Sequence, residues 1–126
     1  MHVLIADDHR GVRDNLRWLL KEHQPRWRLS EAANGQEALA FFGRMSPDVA
    51  VLDIVMAPIG GIAAAYQIRR THPATKIIFI SNRYEMREGS AVTRSLGVAA
   101  FVPKTDLVRL LVPTIKRLLA EETRRA

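Results

Sequence analysis

Apolar residues form five short runs along the chain, at residues 3–6, 27–32, 49–52, 77–80 and 99–102. Each run has the length of a β-strand. The first, third and fourth runs are almost continuously apolar, as strands covered on both faces should be, whereas residues 27–31 alternate as an edge strand would. We therefore predict five strands, with the first, third and fourth at the centre of a sheet.

Segments with helical periodicity separate and follow these strands. Two examples are the set Val12, Leu16, Leu19 and Leu20, and the set Ala38, Leu39, Phe42 and Met45. A strand followed by a helix, five times over, predicts a parallel sheet with helices on both faces. The 126 residues and the apolar content of 48% suit a single core. The sequence thus predicts one doubly wound α/β domain.

Local signals refine the predicted helices. Asn34, followed three residues later by Glu37, resembles a capping pair at the start of the second helix. The fourth helix contains poor helix formers, among them Gly89, and should be the easiest to displace. Pro113 lies inside the last predicted helix and should kink it, because proline lacks an N–H group.

Composition narrows the choice of functions. The absence of cysteine excludes disulfides, thiolate metal sites and a cysteine nucleophile. The formal charge of +6 invites a nucleic-acid partner, but the cations are scattered from Arg10 to Arg125, so we expect no direct nucleic-acid binding. Apolar residues begin directly after His2 and no run reaches membrane-spanning length. We expect a cytoplasmic protein with neither a leader nor a membrane contact.

Polar residues with useful chemistry follow four of the five strands. Asp7 and Asp8 follow the first strand, Asp53 ends the third, Ser81 ends the fourth and Lys104 lies just past the fifth. In a parallel α/β sheet, ligands bind beyond the carboxyl ends of the strands, where neighbouring connections leave in opposite directions. We therefore expect these five side chains to converge on one crevice.

The residue types at these strand ends suit phosphoryl transfer. Three carboxylates in one crevice would repel one another unless a cation were bound, and an all-oxygen set suits Mg²⁺. Asp53, at the end of a central strand, is the best candidate for a nucleophile, and its attack on phosphorus would produce an aspartyl phosphate. Lys104 supplies a compact positive charge for phosphoryl oxygens, and Ser81 supplies a hydroxyl donor.

Each of these residues also has a simpler interpretation. Asp7 could cap a helix, Asp53 could start a turn, Ser81 could end a strand and Lys104 could be a solvated charge. Their joint placement at four strand ends favours a shared site. The four histidines show no metal-ligand spacing, and we interpret them as surface or packing residues.

Four pieces of the chain carry a known set of motifs. They are residues 3–9 (VLIADDH), residues 51–56 (VLDIVM), Ser81, and residues 101–104 (FVPK). Together they resemble the receiver domain of two-component response regulators, and the resemblance covers nearly the whole chain. It implies a flavodoxin-like (CheY-like) doubly wound fold with five parallel strands in the order 2-1-3-4-5 and five helices.

The resemblance also implies roles for the strand-end residues. A sensor histidine kinase or a phosphotransfer protein would donate a phosphoryl group, and the domain would catalyse only its own phosphorylation and dephosphorylation at Asp53. Asp8 would bind Mg²⁺ directly, Asp7 mainly through water, and the backbone carbonyl of Val55 would add a ligand. Lys104 would contact the phosphoryl group. The domain would then be a signalling domain rather than an enzyme.

The same family switches between two states. Ser81 would move toward the phosphoryl group and Phe101 would turn inward, which would change the face built from the fourth helix, the fifth strand and the fifth helix. This is a population shift driven by contacts that only the phosphorylated state makes.

The segments Asp-Asp-His and Phe-Val-Pro-Lys-Thr resemble receivers of LuxR-type (NarL/FixJ) transcription factors, which usually precede a helix-turn-helix domain. Residues 1–120 are interpreted as the receiver and residues 121–126 as a polar tail or the start of a linker. The chain would be an excised domain or a stand-alone receiver, and contact with DNA would need an output domain outside these residues. A homodimer through the last helices is expected by analogy alone.

Several positions depart from the family pattern. Ala57 stands where a proline is common, with Pro58 after it, so the loop after Asp53 could differ in shape. Thr105 replaces a proline that often follows the active-site lysine, so we expect a trans peptide there. Asn82 replaces a small residue and could narrow access to Asp53.

Two other functions stay open. A Mg²⁺-dependent phosphohydrolase of the haloacid-dehalogenase type would also use a nucleophilic aspartate, but its Asp-x-Asp motif after the first strand is not matched by Asp7-Asp8-His9. A pseudo-receiver that acts independently of phosphorylation would instead be a protein-interaction module.

Overall fold

Five parallel strands form one sheet at the centre of the protein. The computed structural model describes residues 1–125, with side chains as far as residue 122. The strands are β1 (His2–Ala6), β2 (Arg28–Ala32), β3 (Val49–Asp53), β4 (Lys76–Ser81) and β5 (Ala100–Pro103). They lie in the order β2-β1-β3-β4-β5, and each neighbouring pair is parallel. The predicted flavodoxin-like fold is therefore confirmed.

A helix follows each strand. The helices are α1 (Arg10–His23), α2 (Gly35–Phe42), α3 (Gly61–Thr71), α4 (Met86–Leu96) and α5 (Leu107–Arg125). A 3₁₀ turn over Lys104–Asp106 joins β5 to α5. Among the described residues, no helix is both long enough and apolar enough to cross a membrane.

The sheet separates two layers of core side chains. Val3 and Ile5 of β1 point to one face, where they belong to a cluster that includes α1 and α5. Leu4 and Ala6 point to the other face, where the cluster includes α2 and α3. All residues of β1 and β3 are buried, whereas β2 has one buried residue. This burial confirms β1 and β3 as central strands and β2 as an edge.

The second helix is shorter than its periodicity suggested. The apolar spacing continues to Met45, but α2 ends at Phe42. Beyond Phe42 the chain passes into a turn, in which the N–H groups of Arg44 and Met45 both donate to the carbonyl of Phe41. The prediction of its start is confirmed, because the capping residue bonds to the N–H three residues later at 2.9 Å.

The last helix continues through Pro113 without interruption, from Leu107 to Arg125. Residues 121–125 of the predicted polar tail therefore have a helical backbone, and residue 126 lies outside the described residues. The kink at Pro113 and the division of the chain at residue 120 stay predictions.

Candidate functional site

The carboxyl ends of β1, β3, β4 and β5 meet at one edge of the sheet. The connection from β1 leads to the outer strand β2 on one side, whereas β3 continues to β4 on the other, so the strand order reverses here. A cleft of about 290 Å³ opens at this point. Its lining residues are Asp8, His9, Asp53, Val55, Ser81, Asn82, Arg83 and Lys104. The structure thus brings the predicted strand-end residues together.

A single ammonium group bridges two buried carboxylates. Nζ of Lys104 lies 3.0 Å from Oδ2 of Asp53 and 2.7 Å from Oδ2 of Asp7. Asp7 is fully buried and the side chain of Lys104 is only 7% exposed. Because charges in such an environment are poorly screened, each strongly affects the ionisation of the others.

The pKa of Asp53 is raised above its usual value, chiefly because burial disfavours the charged form, and the charge of Asp7 adds to this effect. Hydrogen bonds from Lys104 Nζ and from the backbone N–H of Val55, at 3.1 Å, oppose the shift. Burial acts to lower the pKa of Lys104, but its contacts with the two carboxylates outweigh burial and the pKa is raised. Lys104 is therefore held as a cation.

The acidic residues are arranged to hold a cation in addition to the lysine. One donor atom from each of Asp7, Asp8, His9 and Asp53 lies within 4.8 Å of the others. Oδ2 of Asp7 is buried and accepts no hydrogen bond of normal angle from the described residues, although Lys104 is close to it. Three carboxylates against one ammonium leave an excess of negative charge. The residues present therefore fit Mg²⁺, which prefers oxygen ligands.

His9 is the member of this group that the sequence analysis missed. It is exposed, as predicted, but its Nδ1 lies 3.0 Å from Oδ1 of Asp8 and 3.3 Å from Oδ1 of Asp7. Its backbone N–H also donates to Oδ1 of Asp7 at 2.9 Å. The consecutive residues Asp-Asp-His could have indicated this contact, because the turn at the start of α1 brings three consecutive side chains close together.

The loop after β4 supplies a hydroxyl and the rim of the cleft. Ser81 is buried, and its Oγ accepts a hydrogen bond from the N–H of Arg83 at 3.0 Å. Asn82 and Arg83 are exposed at the rim. Asn82 therefore lines the cleft, and the predicted narrowing of access to Asp53 stays a prediction.

Phe101 is packed against a glycine of α4. Its ring is only 6% exposed, and a Cβ added to Gly89 would collide with three atoms of that ring. The glycine therefore creates the space that the ring occupies. The inward turn of Phe101 on phosphorylation stays a prediction.

The loop after Asp53 passes close beneath the site. The peptide bond between Ala57 and Pro58 is cis. All other described peptide bonds are trans, which confirms the trans peptide expected before Thr105. A Cβ on Gly61 would collide with the backbone carbonyl of Asp53. The N–H of Gly61 donates to the carbonyl of Ile54 at 3.0 Å, so α3 begins directly against the end of β3.

Residues 3–115 match the family model for the response regulator receiver domain. Among curated relatives, a protein-glutamate methylesterase/protein-glutamine glutaminase of Alkalilimnicola ehrlichii is 31% identical over 82% of this chain and 27% of its own length. Response regulator GacA of Pseudomonas viridiflava is 29% identical over 95% of this chain and 62% of its own. The chain therefore spans less than two thirds of these relatives.

Solved structures give the same result. A LuxR-family two-component response regulator from Aurantimonas has a TM-score of 0.85 at 28% identity, covering 95% of this chain and 85% of that one. A CheY-like receiver domain protein from Methanospirillum hungatei has a TM-score of 0.88 at 22% identity, covering 99% and 98%, which speaks for the fold alone. On the match over residues 3–115, this chain belongs to the family of response regulator receiver domains, which are signalling domains.

Proposed function

We propose that this domain is the phosphoacceptor switch of a two-component relay and that Asp53 carries the phosphoryl group. The observation that supports this most is the position of its carboxylate, which is buried at the base of the cleft and bonded to Lys104 at 3.0 Å. Receiver domains generally bind Mg²⁺ at an acidic pocket, and the carboxylates of this cleft form such a pocket.

The proposed reaction joins a carboxylate oxygen of Asp53 to the phosphorus of a phosphohistidine. The O–P bond forms as the N–P bond of the donor breaks, and the bonding electron pair returns to the imidazole nitrogen of the donor. The donor is a sensor histidine kinase or a phosphotransfer protein. Lys104 would contact a phosphoryl oxygen, and the distance of 3.0 Å between its ammonium and the attacking carboxylate supports this role.

Asp8, Asp7, Asp53 and the carbonyl of Val55 are the proposed ligands of Mg²⁺. When bound, the ion neutralises charge on the transferred phosphoryl oxygens. Asp8 is partly exposed and faces the cleft, whereas Asp7 is buried beneath it, which agrees with a direct role for the first and an indirect role for the second. The N–H of Val55 orients Asp53 through its bond to Oδ1.

The proposed output is a change in the face formed by α4, β5 and α5. Ser81 would move toward the phosphoryl group, and the ring of Phe101 would be held inward against Gly89. Similarity to LuxR-family regulators favours transcription as the process controlled, through a DNA-binding domain that these residues do not include. A cytoplasmic location and a homodimer are part of this proposal.

Intact-mass measurement after incubation with acetyl phosphate and Mg²⁺ tests the central point. We expect the native chain to gain one phosphoryl group, and we expect Asp53→Asn to gain none. Asp14→Asn is a matched control, because Asp14 is exposed on α1 and pairs only with Arg10 and Arg17 among the described residues. It should be modified like the native chain.

The remaining outcomes separate the alternatives. A native chain that gains no phosphoryl group from acetyl phosphate or from a phosphohistidine donor would contradict the proposal and favour the pseudo-receiver. Sustained multiple turnover of phosphomonoesters would instead indicate a phosphohydrolase. A phosphoacceptor switch cannot accept a second phosphoryl group until it has lost the first.

A further inference from the structure

The imidazole of His9 lies within the carboxylate group that the proposed function uses to hold an ion. Its Nδ1 is 3.0 Å from Oδ1 of Asp8 and 3.3 Å from Oδ1 of Asp7. One possible ligand atom from each of these three residues and from Asp53 lies within 4.8 Å of the others. The four residues therefore offer three oxygens and one nitrogen around one point.

The separations of Nδ1 match those of neighbouring ligands on one metal ion. In an octahedral complex with metal–ligand distances of about 2.1 Å, adjacent donor atoms lie about 3 Å apart. The start of α1 holds the ring there, since the N–H of His9 donates to Asp7 and the N–H groups of Val12 and Arg13 donate to the carbonyl of His9. These contacts fix the backbone of His9 beside the carboxylates.

The exposure of the ring supports the same role. The side chain of His9 is 69% exposed, and among the described residues nothing pairs with its Nε2. Nδ1, rather than Nε2, is the ring nitrogen that faces the carboxylate oxygens, so a bound ion would replace the proton shared in those contacts. Asp7, by contrast, is fully buried, and its position is fixed.

We propose that Nδ1 of His9 is a ligand at this site and that it strengthens the binding of a first-row divalent transition ion more than the binding of Mg²⁺. Imidazole nitrogen suits ions such as Mn²⁺, Co²⁺ and Ni²⁺, whereas Mg²⁺ strongly prefers oxygen. The inference rests on the proposed function, because it concerns the same ion site, and it adds a ligand and a class of ion.

Pulsed electron paramagnetic resonance of the Mn²⁺ complex tests the ligand directly. We expect a nitrogen coupling of bound imidazole in the native chain and its loss in His9→Gln. His23→Gln is the matched control, because His23 is exposed at the other end of the same helix and lies outside the carboxylate group. It should keep the coupling.

Calorimetric titration with Co²⁺ and Mg²⁺ tests the preference. His9→Gln should weaken Co²⁺ binding about tenfold or more and change Mg²⁺ binding by less than about threefold. Asp8→Asn should weaken the binding of both Co²⁺ and Mg²⁺. Because α1 begins at this turn, the unfolding midpoint of His9→Gln is compared with that of the native chain, and His9→Asn serves as a second variant.

The outcomes distinguish this inference from the proposed function. The role of His9 is overturned if the native Mn²⁺ complex shows no nitrogen coupling. It is also overturned if His9→Gln weakens the binding of Co²⁺ and Mg²⁺ equally. If Asp53 is still phosphorylated with Mg²⁺ in that case, the proposed function stands and only the inference fails. Nitrogen coupling in a chain that never accepts a phosphoryl group would support the metal ligand and overturn the switch.

Discussion

Nζ of Lys104 lies 3.0 Å from Oδ2 of Asp53, and the two side chains are only 7% and 5% exposed. Oδ2 of Asp7 lies 2.7 Å from the same Nζ atom, and the side chain of Asp7 is fully buried. A buried ion pair contributes little net stability compared with apolar residues, but removal of one partner leaves an uncompensated buried charge. The lysine therefore supports the fold as well as the proposed chemistry.

We expect Lys104→Met to lower the free energy of unfolding by about 3 to 5 kcal/mol in the absence of divalent ions, because two buried carboxylates lose their shared cation. Urea denaturation with a chelator present measures this. Lys116→Met is the control, since Lys116 is exposed on α5, and it should change stability by no more than about 0.5 kcal/mol. Equal effects of the two variants would contradict the interpretation.

Asp53→Asn should change how stability depends on pH. Burial raises the folded-state pKa of Asp53 above the usual 3.8. At pH values between 3.8 and the raised pKa, the folded chain keeps a proton that the unfolded chain has released. The free energy of unfolding of the native chain therefore falls as the pH rises through this window, and this effect is constant above it. Asparagine cannot titrate, so the native chain should lose stability relative to the variant as the pH rises through this window.

Urea unfolding between about pH 4 and pH 7, without divalent ions, measures this difference. The exposed control Asp14→Asn should parallel the native chain across the range. A difference between Asp53→Asn and the native chain that does not vary with pH would show that the acceptor carboxyl has no raised pKa.

Gly89→Ala tests the space that α4 leaves for Phe101. The added methyl group would collide with the ring, and overpacking of this kind costs about 1 to 3 kcal/mol, against which alanine gains about 1 kcal/mol of helix propensity. We expect a net destabilisation of about 1 kcal/mol. In a Phe101→Ala background the same change should be neutral or stabilising, and a double-mutant cycle of unfolding free energies measures the coupling. Additive effects would show that the glycine and the ring are independent.

Gly61→Ala and Gly11→Ala should have opposite effects. A methyl group on Gly61 would collide with the carbonyl of Asp53, which belongs to a central strand and cannot withdraw, so we expect a cost of about 3 kcal/mol and weaker Mg²⁺ binding. Nothing lies within 4 Å of the corresponding position on Gly11, and alanine there should stabilise α1 by about 0.5 to 1 kcal/mol. Denaturation and calorimetry check both, and a tolerated Gly61→Ala would refute the close approach.

The fold could be predicted because each of its elements has a local signal. The apolar runs of β1 and β3 mark strands covered on both faces, and the Asn34 cap marks the start of a helix. The apolar spacing of α2 continues to Met45, although the helix ends at Phe42 and passes into a turn. Periodicity reports which face is buried and not where hydrogen bonding stops.

The site was predictable in part for a related reason. Residues that follow parallel strands must lie at one edge of the sheet, so Asp8, Asp53 and Lys104 could be grouped from their positions alone. The contact of His9 with two carboxylates depends on the turn that starts α1, and spacing rules for metal ligands on a helix do not describe such a turn.

Local periodicity and the rules of chain connection are enough to predict the parallel sheet, its central strands and the strand ends at which charged residues collect. The contact of one ammonium group with both Asp7 and Asp53, and the space that Gly89 leaves for the ring of Phe101, are visible only in the folded chain. Those relationships join residues that are distant in the chain, and their geometry depends on how whole elements pack at distances of a few ångströms, which no local pattern encodes.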